Sequence, residues 1–339
     1  MKRVLLFVLG LAAIVALVWY AGAGAVVRTL MVLGPLGLFV IVALHVPNEA
    51  LMGLAWWHVR GPAPRDARPE DHVLKFLMAR LIRDAAGEFL PFSQLGGFAV
   101  GARALALTGV ELFRAGLSMF ADLVTEFAAK LPYTLIGVVL LFAVQPGSHL
   151  LTPLGAGIAV AAAGFAAVFA FREPLLAALE RAALALARKW THLTPPADVA
   201  SAVSATFAAR GVAACFALHL TAWLLSGFET WVAFRLLGVH ASLARAVVVD
   251  SLANGIRTFA FFIPSAAGAQ EGAYVFVCAL FGIGPASAVA LSLARRGRDL
   301  VLAIPGLAGW QFLEARNATR RGTDNRREGQ VAGMTARPD

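Results

Sequence analysis

The chain has 339 residues, of which 59% are apolar and only 14% charged, with a mean hydropathy of +0.75. A soluble domain carries roughly 25% charged residues, so the composition excludes a sizeable soluble domain and implies an integral membrane protein. The net charge of +9 does not point to nucleic acid, because the basic residues stand beside apolar runs without basic–aromatic interleaving; membrane topology and anionic lipid account for it.

Met1-Lys2-Arg3 leads into an apolar run from Val4 to Gly24, about 31 Å of helix at roughly 1.5 Å per residue and long enough to span a bilayer. It is expected to be an uncleaved first span, although Ala21-Gly22-Ala23 imitates a cleavage site. A second span covers 31–58 and is interrupted by His45, Pro47, Asn48 and Glu49. His45 and Glu49 lie one turn apart, but two ligands make a weak metal pattern; a polar kink is the better reading, and no metal is expected. Further full spans are expected over 113–144, 150–171, 207–238 and 285–313. Residues 172–190 place Leu175, Leu176, Leu179, Ala183, Leu186 and Trp190 on one face, opposite Glu173, Glu180, Arg181 and Arg188, the pattern of an interfacial amphipathic helix. The Arg/Gly/Asn/Thr-rich residues 316–339 are expected to be a disordered cytoplasmic tail. Lys and Arg concentrate near 60–83, in 172–205 and after 314, which puts both termini in the cytoplasm. Cys215 and Cys278 stand alone in apolar runs, without zinc or disulfide spacing.

Two segments, 73–107 and 248–282, are apolar but broken. The first runs through Gly87, Pro91, Gly96 and Gly97; the second through Gly255, Pro264, Gly268 and Gly272. Proline removes a backbone donor and glycine loosens a helix. In hydrocarbon such breaks are tolerated only where protein or a water-filled cavity satisfies the freed groups, and paired breaks are a pointer to a transporter's binding site. Both segments carry glycines four apart (Gly97 and Gly101, Gly268 and Gly272), and both lead to Asp-Leu-Val, at Asp122 and at Asp299. An internal duplication follows as an expectation, and the three full spans between the units, an odd number, would make it an inverted repeat. The fold class is all-α: a polytopic transmembrane bundle of about six full spans and two broken or re-entrant segments, forming one domain over 1–315.

Charges at membrane depth cost several kcal/mol and mark function or pairing. One cluster is Arg83, Asp84, Glu88, Gln94 and Arg103, with Asp122, Glu126 and Lys130 stacked on one face of the next helix. It either locks the bundle through ion pairs or lines a polar cavity for a head group. The second is Asp250, Asn254 and Arg257 before Pro264, with Gln270 and Glu271 after it; Glu271 is a helix cap or part of an anion site. The third is Arg295, Arg296, Arg298 and Asp299, four charges that cannot all face lipid. No catalytic Ser/His/Asp set, P-loop or dinucleotide fingerprint is visible, so neither an enzyme nor a cofactor is expected.

The run from Arg83 through Gly87-Glu88, Leu90-Pro91, Gln94 and Gly96-Gly97 to Gly101-Ala102-Arg103, with Ala121-Asp122 downstream, resembles the lysylphosphatidylglycerol synthase transmembrane (flippase-like) family. The second block is similar to it as well: Phe262-Ile263-Pro264, Gly268-Ala269-Gln270-Glu271-Gly272, Leu293-Ala294-Arg295-Arg296-Gly297-Arg298-Asp299 and Pro305-Gly306-Leu307. Its Gln-Glu-Gly and Arg-Arg-x-Arg forms are most similar to the hopanoid-biosynthesis-associated branch. The resemblance covers roughly 40–315 and implies a bacterial inner-membrane protein that moves a polar-headed lipid, a hopanoid or an anionic phospholipid, between leaflets. The synthase domain of the family's best-known members has no counterpart here, so aminoacyl transfer is not expected.

The mechanism expected is a polar cavity between the two broken segments. Half-helix N-termini near Gly96-Gly97 and Gly268–Glu271 would meet anionic oxygens, with Arg83, Arg103, Arg257 and Arg298 as charge partners and Glu88, Asp122 and Glu271 as proton carriers. The rival is a scaffold that recruits lipid-biosynthesis enzymes and transports nothing. A membrane enzyme acting on lipid head groups is a third reading.

Overall fold

The computed structural model describes residues 15–16, 18–61, 69–89, 93–145, 199–260, 263 and 266–335. Regular structure among them is helical throughout. The span 150–171, the amphipathic stretch 172–190, Pro91, Pro264 and most of the span 4–24 lie outside the described residues.

Helix α1 runs Ala23–His58, so residues 24–30 continue a helix where a loop between two spans was expected. The break falls instead at Gly34, whose φ of 61° and ψ of −179° only glycine adopts readily, just before Pro35. Pro47 removes a second helical donor farther along α1. The first broken segment becomes α2 (Pro69–Phe89) and α3 (Ser93–Leu107). Next come α4 (Leu112–Val144), α5 (Val199–Thr206) and α6 (Ala209–Leu236). The second broken segment becomes α7 (Leu243–Phe259) and α8 (Ala269–Ala279). Helix α9 (Pro285–Thr335) carries on through 316–335, the stretch expected to be a disordered tail. Among the described residues, α1, α4 and α6 are long and apolar enough to cross a membrane. These helices form a multi-pass membrane bundle.

Glycines let the broken pairs close up. A methyl group on Gly97 would stand 2.7 Å from the Arg83 carbonyl oxygen and 2.7 Å from Gly87 Cα, and one on Gly101 would stand 2.7 Å from Arg83 Cβ. The backbones of α2 and α3 therefore touch at these points, seating Arg83. At the second break, Ala266 (φ 45°) and Gly268 (φ 79°) adopt left-handed conformations, and Glu271 caps α8 by accepting from Gly268 N at 2.9 Å.

The helix pairing repeats. In the first unit α1 packs on α2, α2 on α3 and α3 on α4; in the second α6 packs on α7, α7 on α8 and α8 on α9. The units interlock reciprocally: α2 packs on α9 as α7 packs on α4, and α1 packs on α9 as α6 packs on α4. Two apolar cores result. One gathers Trp56, Phe76, Leu105 and Met119, with Trp56 edge-on to Phe76 and its indole N–H donating to Ser118. The other gathers Ile41, Leu141, Phe234, Val249, Tyr274 and Leu291. On α1 the polar residues His45 to Met52 fall between Ile41 of one core and Ala55 of the other. On α4 Leu123 to Lys130 fall between Ala121 and Val138, and on α6 Trp223 and Ser226 fall between Cys215 and Ala233.

Candidate functional site

Between the two cores lies a cavity of about 540 Å³. On α4 and α6 its lining residues sit near the middle of a membrane-length helix, so the cavity lies deep within the bundle. Both broken segments bound it: Arg80, Arg83, Asp84 and Glu88 from α2 and Phe98 from α3; Asn254, Arg257 and Thr258 from α7, with Ile263 and Ala266 from the second break. Helix α1 adds His45, Asn48 and Glu49 beside Pro47, α4 adds Glu126 and Lys130, and α9 adds Arg295, Arg298 and Asp299. A proline kink frees a carbonyl in the preceding turn, and here it falls where the neighbouring side chains are polar.

Three polar centres hold these charges. The first is built on Asp122, fully buried, whose carboxylate accepts from Arg83 at 2.8 Å and lies 2.9 Å from His219 Nε2. Arg83 also donates to Glu126 at 2.8 Å, and Arg80 donates to Asp84 at 2.6 Å and Glu126 at 3.0 Å. The second joins α1, α6, α7 and α9. His45 Nδ1 stands 2.7 Å from Glu229 and its Nε2 3.3 Å from Glu49. Arg298 pairs with Glu229 and, at 2.7 Å, with Asp299. Arg295 donates to Asp250 at 2.7 Å and Thr230 at 2.6 Å, while Tyr133 donates to Asp250 at 2.7 Å. The third stands apart from the cavity: Arg296 pairs with Glu271, and Ser292 bonds both Gln270 and Glu271. Arg257 donates to Glu88, tying the end of α7 to the end of α2.

The candidate residues therefore separate. Arg83, Asp84, Glu88, Asn254, Arg257, Arg298 and Asp299 converge on the cavity. Asp122 lies behind its wall as the anchor of Arg83. Glu271 caps α8 and is held by Arg296, Gln270 bonds Ser292, Gly97 is a packing contact, and Gly268 is a turn residue. Gln94 stands in the first turn of α3. Arg103 is half-exposed and forks onto Glu314 at 2.5 and 2.8 Å. Sequence reading missed Glu229 and His219 on α6. Their only signal was an acid and a histidine inside an otherwise apolar span, the same signal that singled out Asp122.

Asp122, Cys215 and His219 bring their ligand-type atoms within 4.8 Å of one another. The carboxylate of this trio already faces Arg80 and Arg83, two positive charges that a metal cation would have to sit beside. The trio is furnished as an ion-pair centre.

No curated protein and no solved structure gives a match. The family model for the lysylphosphatidylglycerol synthase TM region matches residues 7–306, nearly the whole membrane part. The chain belongs to the lysylphosphatidylglycerol synthase transmembrane-region family.

Proposed function

We propose that this chain is a non-enzymatic translocase that carries a polar-headed lipid, a hopanoid or a phospholipid, between the leaflets of a bacterial inner membrane, with both termini in the cytoplasm. The observation that carries the reading is the cavity itself. It sets charged side chains of both signs in a largely apolar wall, lies deep in the bundle, and is bounded by both broken segments, where discontinuous helices place a transporter's substrate. Its charges are of both signs, so a head group entering it exchanges water for fixed partners while its tails stay in lipid.

The best-supported rival is a scaffold for lipid-biosynthesis enzymes. It draws on the dense pairing of the cavity's arginines with carboxylates, which suits a purely structural core.

One experiment separates the two. The full chain is reconstituted in proteoliposomes, and leaflet-to-leaflet movement of phosphatidylglycerol, an aminoacylated phosphatidylglycerol and a hopanoid with a polar head is followed. A second preparation carries Glu88→Cys and Arg257→Cys joined by a cleavable thiol cross-linker. Movement of one of these lipids that stops on cross-linking and returns on cleavage establishes the translocase. Absence of movement of every lipid by folded wild-type protein sinks it in favour of the scaffold.

A further inference from the structure

The cavity's cations are not equivalent. Arg80, Arg83, Arg257, Arg295 and Arg298 each lie in an ion pair with a carboxylate. Lys130 has no carboxylate within salt-bridge distance among the described residues. Its Nζ donates to Thr258 Oγ1 at 3.2 Å and lies 4.4 Å from the centre of the Trp223 ring and 5.5 Å from that of Phe127. Thr258 gives its own hydroxyl proton to the Asn254 carbonyl, so it serves Lys130 only as an acceptor. An ammonium has three N–H groups, which leaves two of them without an oxygen acceptor among the described residues. Lys130 sits near the middle of α4, where an ammonium without a counter-anion costs several kcal/mol.

An ammonium with open N–H groups, in the wall of a cavity whose other described charges are in ion pairs, describes a place for an anion. Resting on the translocase reading, we infer that Lys130 is the point charge of a phosphate subsite in this wall. The group it takes is a phosphate, either the phosphodiester of a lipid head group or a free phosphate. The aromatic faces of Trp223 and Phe127 hold the ammonium in place while the subsite is empty.

The test measures equilibrium binding to the full chain in detergent. The probes are short-chain phosphatidylglycerol, phosphatidylethanolamine and a diacylglycerol with the same tails, with inorganic phosphate as competitor. Wild-type protein is expected to bind both phospholipids and to discriminate against the diacylglycerol. Lys130→Met should weaken phospholipid binding about tenfold or more, the loss of a charge-assisted bond, and Lys130→Arg should retain most of it. Competition by inorganic phosphate would assign the subsite to the phosphate alone; binding of the phospholipids without such competition would assign it to the phosphate within a head group. Phospholipid binding unaffected by Lys130→Met, equal binding of the diacylglycerol, or no binding of any phosphate compound to wild-type protein would each overturn the subsite. If binding behaves as expected but nothing crosses the proteoliposome membrane, the subsite stands and the translocase reading falls; transport with unaltered Lys130→Met binding does the reverse.

Discussion

Replacing Gly97 or Gly272 with alanine makes the same chemical change in two similar glycine pairs, yet the structure assigns the two changes opposite signs. A Cβ on Gly97 meets the Arg83 carbonyl oxygen at 2.7 Å and Gly87 Cα and N at 2.7 and 2.8 Å. These are backbone atoms, so no side chain can swing aside, and α2 and α3 must part by roughly 0.5–1 Å. A gap of that size forfeits a quarter to a half of each van der Waals contact along the interface, and overpacking of this kind costs about 1–3 kcal/mol. A Cβ on Gly272 meets nothing within 4 Å, and alanine in a helix interior is favoured over glycine by about 0.5–1 kcal/mol. Unfolding in mixed detergent micelles, followed by tryptophan fluorescence, should therefore separate the two variants by roughly 1.5–4 kcal/mol, with Gly97→Ala below wild type and Gly272→Ala at or above it. Equal shifts, or destabilisation by Gly272→Ala alone, would refute the close-approach account of α2 and α3.

Glu229→Gln should destabilise the fold by about 3–5 kcal/mol in the same assay, since it removes a carboxylate that holds both Arg298 and His45 in the interior. Arg103→Ala should change stability by less than about 1 kcal/mol, because its pairing with Glu314 is at a half-exposed site, and it should leave lipid movement unchanged. Ser226→Cys and Asn254→Cys should react with a water-soluble thiol reagent in folded protein, because both positions line the cavity. The native Cys215 and Cys278 are fully buried and should give little background, so unlabelled cavity cysteines would mean that water does not reach it.

The fold was readable where chain chemistry is decisive. Proline and glycine marked the breaks that became α2–α3 and α7–α8, because those residues act on the backbone directly. The start of α1 was not readable: residues 24–30 suit a helix as well as a loop, and the break moved to Gly34, where a positive φ is needed. The site divided in the same way. Seven candidate residues line the cavity, six of them legible as charges and Asn254 as an amide inside apolar sequence. Glu271 also looked like such a charge, but whether a carboxylate after a glycine caps its own helix or faces a cavity depends on the turn that places it. The similar glycine pairs misled for a related reason. Gly97 and Gly101 serve interhelical contact, while Gly268 serves a turn and Gly272 meets no neighbour.

The reciprocal helix packing and the distribution of charge together indicate where motion is possible. In the first unit the broken helix α2 carries arginines, and α4 carries the carboxylates that meet them. In the second unit the polarity is reversed: the broken helix α7 carries Asp250, and α9 carries Arg295. Each unit thus pairs its deepest arginines with its own carboxylates, as a hydrocarbon surround requires, while His45–Glu229 and His219–Asp122 are contacts between the units. Among the described residues that line the cavity, Arg257–Glu88 is the one arginine–carboxylate pair that joins the two units. It also lies at the ends of both broken helices, and both partners are more exposed than the arginines of the deep centres. Rocking one unit against the other would leave the intra-unit arginine pairs intact and load the contacts between units; Arg257–Glu88, at the helix ends and the more exposed, is the one among them where a cross-link tests movement without emptying a deep centre.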